Sequence, residues 1–353
     1  MSWTFKRAAQ AFPHYRELWD EINRAQSNHL LLDSDFVEPL IRHFGDTDTL
    51  LGLNHDFPSP AMILVNRTRW SMWQTFQPSQ APLGLILLSK GADGAKQVRD
   101  LLPTLPGHAL GMGVLQQDPD FTAFQNIKEG RGVEVVEYIK TARVSVDRSF
   151  EEYWALRGRD LVDNIVRRQR RLGRLRIHCE FVEDRDPIRV RQGIEEYGRL
   201  ESTGWKARQG TAVTAENTQG AFYREMLERF CERNEGVIYR LLFDGKTVAM
   251  QLGLDRAGML ILLKTAYDES VKEMSPGFLL QTEMFKALFT ERNTKRIEFY
   301  GRVREGWTKK WTNETRGMFH LNVYRYSSMS WARRLLKSTS VPRKGHVGQE
   351  SSD

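Results

Sequence analysis

Cysteine is almost absent from this 353-residue chain, where Cys179 and Cys231 are the only two. Two cysteines can build neither a disulfide framework nor a cysteine-rich zinc site, and this usage suits a reducing cytoplasm. Long apolar runs are missing too. The longest, LGLILL at 83–88 and MLILL at 259–263, are strand-length, far short of the ~20 residues that span a bilayer. The first residues, MSWTFKRAAQAFPHYRELWD, mix charges with aromatics and lack the apolar stretch of a secretory signal. The eight histidines form no HxxH or HExxH pair, so the sequence predicts no metal site. Beyond residue 120 proline is scarce, with Pro187, Pro276 and Pro342 against nine before it. No period of roughly 20 to 50 residues recurs, so the halves are not tandem copies at the level of sequence.

What is present is a globular composition, 40% hydrophobic and 27% charged. A chain of this length buries roughly three quarters of its unfolded surface, as one large or two medium domains. Lysine and arginine number 52 against 45 acidic residues, a net charge of +7. That balance suits anionic partners such as phosphates, nucleotide cofactors, nucleic acid or a lipid surface. Much of the charge lies in RGRDLVDNIVRRQRRLGRLR (157–176), with eight arginines against two aspartates. Leu161, Ile165, Val166 and Leu172 fall near helical spacing there, which predicts an amphipathic helix with a basic face. That face reads either as a solvated surface or as a phosphate or nucleic-acid site, and it lacks the interleaved aromatics of a base-stacking platform. From Ser338 the tail STSVPRKGHVGQESSD has the composition of a disordered segment.

Helical periodicity around 15–25 opens the first half. Strands are expected at 61–65, 70–76, 83–89, 108–115 and 133–146, with a helix at 95–102, together an α/β unit. In the second half VIYRLLF (237–243) and KTVAMQLGL (246–254) flank Asp244-Gly245, the strongest short-range hairpin signal. DRAG (255–258) leads to a third strand, MLILLKTAY (259–267). A helix then starts at Ser275, Pro276 and Gly277, with Pro276 suited to the first helical position. No acidic residue follows in its first turn, so its amides either cap an ordinary helix or face an external anion. KRIEFYG (295–301) and GMFHLNVYRY (317–326) read as strands, with a short helical stretch at 303–311 between them.

Three strands, a phosphate-type helix start, strand, helix and strand is the element order of the Gcn5-related N-acetyltransferase (GNAT) fold. The strings ESTGWKARQGTAV, FYREML, LLFDGKTVAMQL, LLKTAYDES, SPGFLLQ and IEFYGR closely resemble the CelD-type branch of that superfamily, which is related to the FemAB aminoacyl transferases that carry two GNAT-like modules. The motif-bearing match runs over roughly 157–326. The resemblance implies an α/β (α+β) fold of two modules, each a mixed, mostly antiparallel sheet flanked by helices: a degenerate one at 1–150 and a catalytic one at 151–335, with a disordered tail at 336–353. It implies acyl transfer from acetyl-CoA or a longer acyl-CoA, without metal, to an amine or hydroxyl of an envelope or exopolysaccharide precursor, and peripheral association with envelope-synthesis machinery. The alternatives are a FemAB-like transferase using aminoacyl-tRNA, gripped by the arginine helix, and a non-catalytic scaffold of polysaccharide assembly.

By that resemblance Ser275, Pro276, Gly277, Phe278 and Leu279 bind the donor, a loop shorter than the usual glycine-rich one. Direct acyl transfer needs a base, an oxyanion donor and an acid for the leaving thiolate. Asp268 is a candidate base or acceptor-orienting residue, with a turn or cap role as the other reading. Tyr267 and Tyr300 are candidate acids or packing residues. Glu201 and Lys206 either pair structurally or bind acceptor, and Trp205, Trp307 and Trp311 line a pocket or pack in the core. Either Lys309 or Lys310 matches the family lysine. Cys179 and Cys231 have no activating neighbours in sequence and are expected to be buried.

Overall fold

Local turn and capping chemistry sets many of the element boundaries in this computed structural model. It describes residues 3–55, 60–88, 93–124, 127, 129–130, 132–202, 214, 216–291 and 293–328. The first half contains β1 (Trp3–Arg7), α1 (Ala8–Gln26), α2 (Ser34–Phe44), β2 (Leu50–Asn54), β3 (Ala61–Arg67), β4 (Met72–Thr75), β5 (Ile86–Leu88), α3 (Gly94–Leu101), β6 (Gly111–Gln117) and β7 (Val133–Ser145). The second half contains α4 (Phe150–Ala155), α5 (Arg159–Arg174), β8 (Cys179–Asp184), α6 (Pro187–Ser202), α7 (Thr218–Glu232), β9 (Gly236–Phe243), β10 (Lys246–Arg256), β11 (Met259–Tyr267), α8 (Pro276–Glu291), β12 (Arg296–Phe299), α9 (Thr308–Trp311) and β13 (Thr315–Tyr324). The expected tail from Ser338 lies outside the described residues.

Asp244 and Gly245, with φ of 48° and 80°, make the β9–β10 hairpin turn, the positive-φ pair that Asp-Gly favours. Ser149 and Glu152 form a reciprocal capping box that starts α4, satisfying two backbone donors at once. The element at 70–76 is shorter than its sequence pattern: Trp70 and Ser71 form a turn with φ of 61° and 55°, and β4 begins at Met72. Strands β1, β2 and β8 and helices α2, α4, α6 and α7 are additional to the sequence reading.

Among the described residues thirteen strands form one sheet in the order β1-β2-β3-β4-β6-β13-β7-β12-β11-β10-β9-β8, with β5 beside β3. Only β4–β6 and β11–β12 pair in parallel, so the sheet is mixed and mostly antiparallel, as expected. Strand β13 crosses back from the second half and lies between β6 and β7 of the first. On one face, α1, α2, α6 and α7 bury Phe12, Trp19, Phe36, Tyr197, Phe222 and Phe230 against strands from both halves. On the other, α4, α5 and α8 bury Tyr153, Ile165, Phe285 and Phe289 against the second half. Helix α3 covers the first half, where Leu321 and Val323 of β13 complete the core.

Leu321 is fully buried on the exchanged strand. Leu321→Ala should destabilise the protein by about 3 kcal/mol. Urea transitions followed by circular dichroism and by tryptophan fluorescence should stay coincident, because the strand belongs to both halves.

Candidate active site

Strands β11 and β12 pair only from Met259↔Arg296 to Leu262↔Phe299, whereas β11 continues to Tyr267. Beyond Leu262 the two parallel strands part. The split coincides with a β-bulge: Leu252 faces Lys264 and Gly253 faces Leu262, leaving Leu263 as the extra residue. A bulge of this kind bends the strand and sharpens its twist. Lys264 and Thr265, just past it, are half-buried, and Tyr267 at the strand end is 40% exposed.

The chain then turns sharply into α8. Asp268 accepts hydrogen bonds from the Ser270 amide at 2.9 Å and hydroxyl at 2.6 Å, and from Lys246 Nζ at 2.9 Å, so it caps the one-turn helix that follows. Burial alone would raise the Asp268 carboxyl, but these partners outweigh it and hold the group below its ordinary value. Ser275 takes φ of 52°, and its carbonyl accepts from the amides of Phe278 and Leu279 at 3.0 and 3.1 Å. Pro276 occupies the first helical position, and the first turn carries no acidic side chain. A Cβ added to Gly277 would meet Trp307 at 3.6 Å and Tyr267 at 3.7 Å, ordinary contacts. Packing therefore does not demand glycine here.

Phe278 packs on Trp307 and Trp311, with ring centroids 4.7 and 5.9 Å apart. Beside Phe278 a cleft of about 600 Å³ separates the start of α8 from α5 and is lined by Arg167, Arg170, Lys310, Asp160 and Asn164 among others. Lys310 lies 3.8 Å from Asp160, while Lys309 pairs with Glu305 at 2.6 Å. Trp311 is fully buried, and its carbonyl accepts from Tyr153 Oη at 2.8 Å, so it belongs to the core. Leu279 is buried and borders a smaller cleft of about 310 Å³ with Cys179 and Glu283. Cys231 is buried but Cys179 is exposed, contrary to expectation, because β8 is the edge strand of the sheet.

The opposite face carries the remaining candidates. Glu201 is buried and accepts from Tyr197 Oη at 2.8 Å; burial, then the Glu201 charge, push that phenol well above its ordinary value. Trp205 and Lys206 lie outside the described residues. Asp268 and Lys246 also line a cleft of about 460 Å³ with Glu196, Arg199 and Thr247. Tyr300, one residue past the end of β12, is buried and donates to Asp118 at 3.0 Å.

His29 Nε2 lies 2.7 Å from the same hydroxyl. Its Nδ1 accepts from the Leu31 amide at 3.2 Å, so the proton sits on Nε2, which donates to Tyr300. Burial, followed by the charges of Arg316, Arg296 and Arg256, lowers His29 to about 3, which keeps the ring neutral at physiological pH. Arg316 holds Asp118 at 2.6 Å and Glu298 at 2.7 Å. His29, Asp118, Glu298 and Arg316 cluster with Tyr300 in the candidate site, and the sequence reading missed them. The available signal was the charged Glu298 among the apolar residues of IEF. The structure thus gathers Tyr267, Gly277, Phe278 and Trp307 on the α8 face, and Glu201 and Tyr300 on the α6 and α7 face.

Asp268→Asn keeps the capping oxygen but removes the charge that faces Lys246 and the helix start, and should cost up to about 1 kcal/mol at pH 7. A carboxyl depressed in the folded state contributes stability above its unfolded value and loses it as pH falls through the folded one. The gap between variant and parent in urea titrations should therefore hold from pH 7 to 5 and close below about pH 4.

Residues 159–311 match the model of the acetyltransferase (GNAT) domain family. No curated protein matches the chain in sequence. Among solved structures the chain is similar to FemX, at 10% identity and a TM-score of 0.58 over 95% of this chain and 100% of that one. It is also similar to the C-terminal domain of a putative lysylphosphatidylglycerol synthetase from Agrobacterium fabrum, at 12% identity and 0.57 over 93% and 96%. L-PGS from Bacillus licheniformis gives 15% and 0.54 over 92% and 96%. At these identities the structural likeness concerns the fold, and with the match at 159–311 it identifies a GNAT-type acyltransferase fold in this chain.

Proposed function

We propose that the protein is an acyltransferase that takes its acyl group from acetyl-CoA or a longer acyl-CoA bound at the start of α8. The acceptor, an amine or hydroxyl, enters the splay of β11 and β12 from the α6 side. The observation that carries this reading is the helix start. Its first turn has no internal anion, packing leaves room for a Cβ that Gly277 lacks, and Arg167, Arg170 and Lys310 line the adjoining cleft. The Gly277 amide, the positive dipole end and these cations are what a pyrophosphate would meet there.

The bound donor supplies a thioester carbonyl. Ser275, Pro276 and Gly277 would cradle its phosphates, Phe278 and Trp307 would wall its arm, and Leu279 and Trp311 support that wall from the core. Lys310, rather than Glu305-paired Lys309, faces the cleft and takes the part of the family lysine. Transfer forms the bond to the acceptor, breaks the carbon–sulfur bond, and leaves one proton to pass from acceptor to thiolate. Tyr267 suits the final protonation: it is reachable beside Gly277, and burial, then Glu269, raise its phenol, so it carries its proton at neutral pH. Tyr300, held between His29 and Asp118, positions the wall of the splay. Asp268 and Glu201 border the acceptor side, and the resemblance gives Trp205 and Lys206 an acceptor-binding part. Resemblance to the CelD-type branch makes an envelope or exopolysaccharide precursor the acceptor class, with 1–150 as the degenerate module and 151–335 as the catalytic one.

Calorimetry should show saturable binding of acetyl-CoA or a longer acyl-CoA to the intact protein. Binding should weaken at least 100-fold in Gly277→Glu, with an unchanged Tm, because the Cβ fits and the carboxylate repels phosphate. Tyr267→Phe should lower kcat by about 100-fold at little change in KM. An intact protein that binds no acyl-CoA overturns the reading. The exposed arginines of α5, among them Arg170 and Arg174, favour a second reading in which the donor is aminoacyl-tRNA. Steep salt dependence of tRNA binding would mark that case.

A further inference from the structure

At the tip of the β3–β4 hairpin Trp70 is 87% exposed. The Arg69 carbonyl accepts from the Met72 amide at 3.2 Å, and both residues between them, Trp70 and Ser71, have positive φ. Such a pair favours Asn-Gly, and a bulky aromatic ring there is unfavourable. Among the described residues the Trp70 ring stacks on nothing, so no internal contact repays that cost.

The surroundings are cationic and fixed. Arg67 and Arg69 flank the tip, and Arg325 joins them; none makes an ion pair among the described residues. The Arg67 guanidinium lies 3.3 Å from where a Cβ on Gly107 would stand. The Leu110 amide donates to the Ser71 carbonyl and the Arg325 amide to the Leu110 carbonyl, each at 2.9 Å, which locks the tip to the β6 and β13 ends. Beside it the rings of His108 and Tyr326 lie 6.5 Å apart, and Tyr326 is 48% exposed. Strand β13 runs in the same direction as β11, since β7 is antiparallel to β13 and β12, and β12 is parallel to β11. This patch and the start of α8 therefore lie at the same edge of the sheet.

We propose that this tip is an interfacial anchor that docks the protein on an anionic lipid surface, with Trp70 at head-group depth and Arg67 and Arg69 against lipid phosphates. Tryptophan favours that depth and arginine favours anionic head groups. A single-stranded nucleic acid instead requires successive aromatics along a groove, whereas here Trp70 projects from a turn and the His108 and Tyr326 rings pair with each other. No helix among the described residues is long and apolar enough to cross a membrane, and the proposed contact is that of the tip with the lipid surface. The inference is independent of the donor and acceptor assigned above.

The test is sedimentation of the full chain with equimolar phosphatidylcholine–phosphatidylglycerol vesicles and with phosphatidylcholine alone. The protein should bind the first and not the second. Trp70→Gly should weaken binding at least tenfold while raising Tm, since glycine relieves the turn, and that rise shows that the fold is intact. Arg67→Gln and Arg69→Gln should each cost about fivefold. Absence of vesicle binding, or equal binding by parent and Trp70→Gly, overturns the proposal. So does tighter binding of single-stranded RNA that the same variants lose.

Discussion

The guanidinium of Arg316 is the knot of this fold. It projects from β13, the strand that returns from the second half, and grips Asp118 just past β6 and Glu298 on β12. Three segments from both halves meet in one buried cluster. Desolvation makes such a cluster costly to assemble, but removing one charge and leaving its partners buried typically costs about 3–5 kcal/mol. Burial dominates the Glu298 carboxyl and raises it in spite of two arginines, so the group is held by geometry as much as by charge. Tyr300 and His29 complete the cluster directly beside the point where β12 leaves β11.

That placement links structure to chemistry. Parallel strands part only if their interstrand hydrogen bonds stop together, and here the bulge at Leu263 and the end of β12 at Phe299 coincide. On one side of the opening stands a helix start with no internal anion, and on the other the buried Tyr197–Glu201 pair. The first half contributes His29 and Asp118 to the floor of the opening, although the acetyltransferase match covers only 159–311. The two halves are therefore joined at the candidate site as well as through the shared sheet.

What the sequence disclosed was local. Asp244-Gly245 and Ser275-Pro276-Gly277 are turn and cap signals whose physics lies within a few residues, and the structure has elements there as expected. Helix α2 was hidden by Pro39, which reads as a breaker, and β2 by its brevity and by Gly52. A Cβ on Gly52 would come within 2.8 Å of Phe5 and Ile63, so that glycine records a close approach invisible along the chain. The residues proposed for the donor side come from motif strings. The contacts of Tyr300 were not, because His29 and Asp118 lie 271 and 182 positions away. Trp70 was misread as a strand residue because its aromatic character fits a β pattern and the turn has none of its usual residues.

Strand β13 has a consequence in time as well as in space. It spans Thr315–Tyr324, yet its partners are at 111–117 and 133–145, so the sheet closes through contacts of very long sequence separation, which slow folding. During synthesis the facing edges of β6 and β7 are made long before the strand that joins them. Open edges of this kind invite pairing with other chains. The nascent chain thus has a long interval of vulnerability, in which chaperone cover and translation rate would weigh on yield as heavily as final stability does.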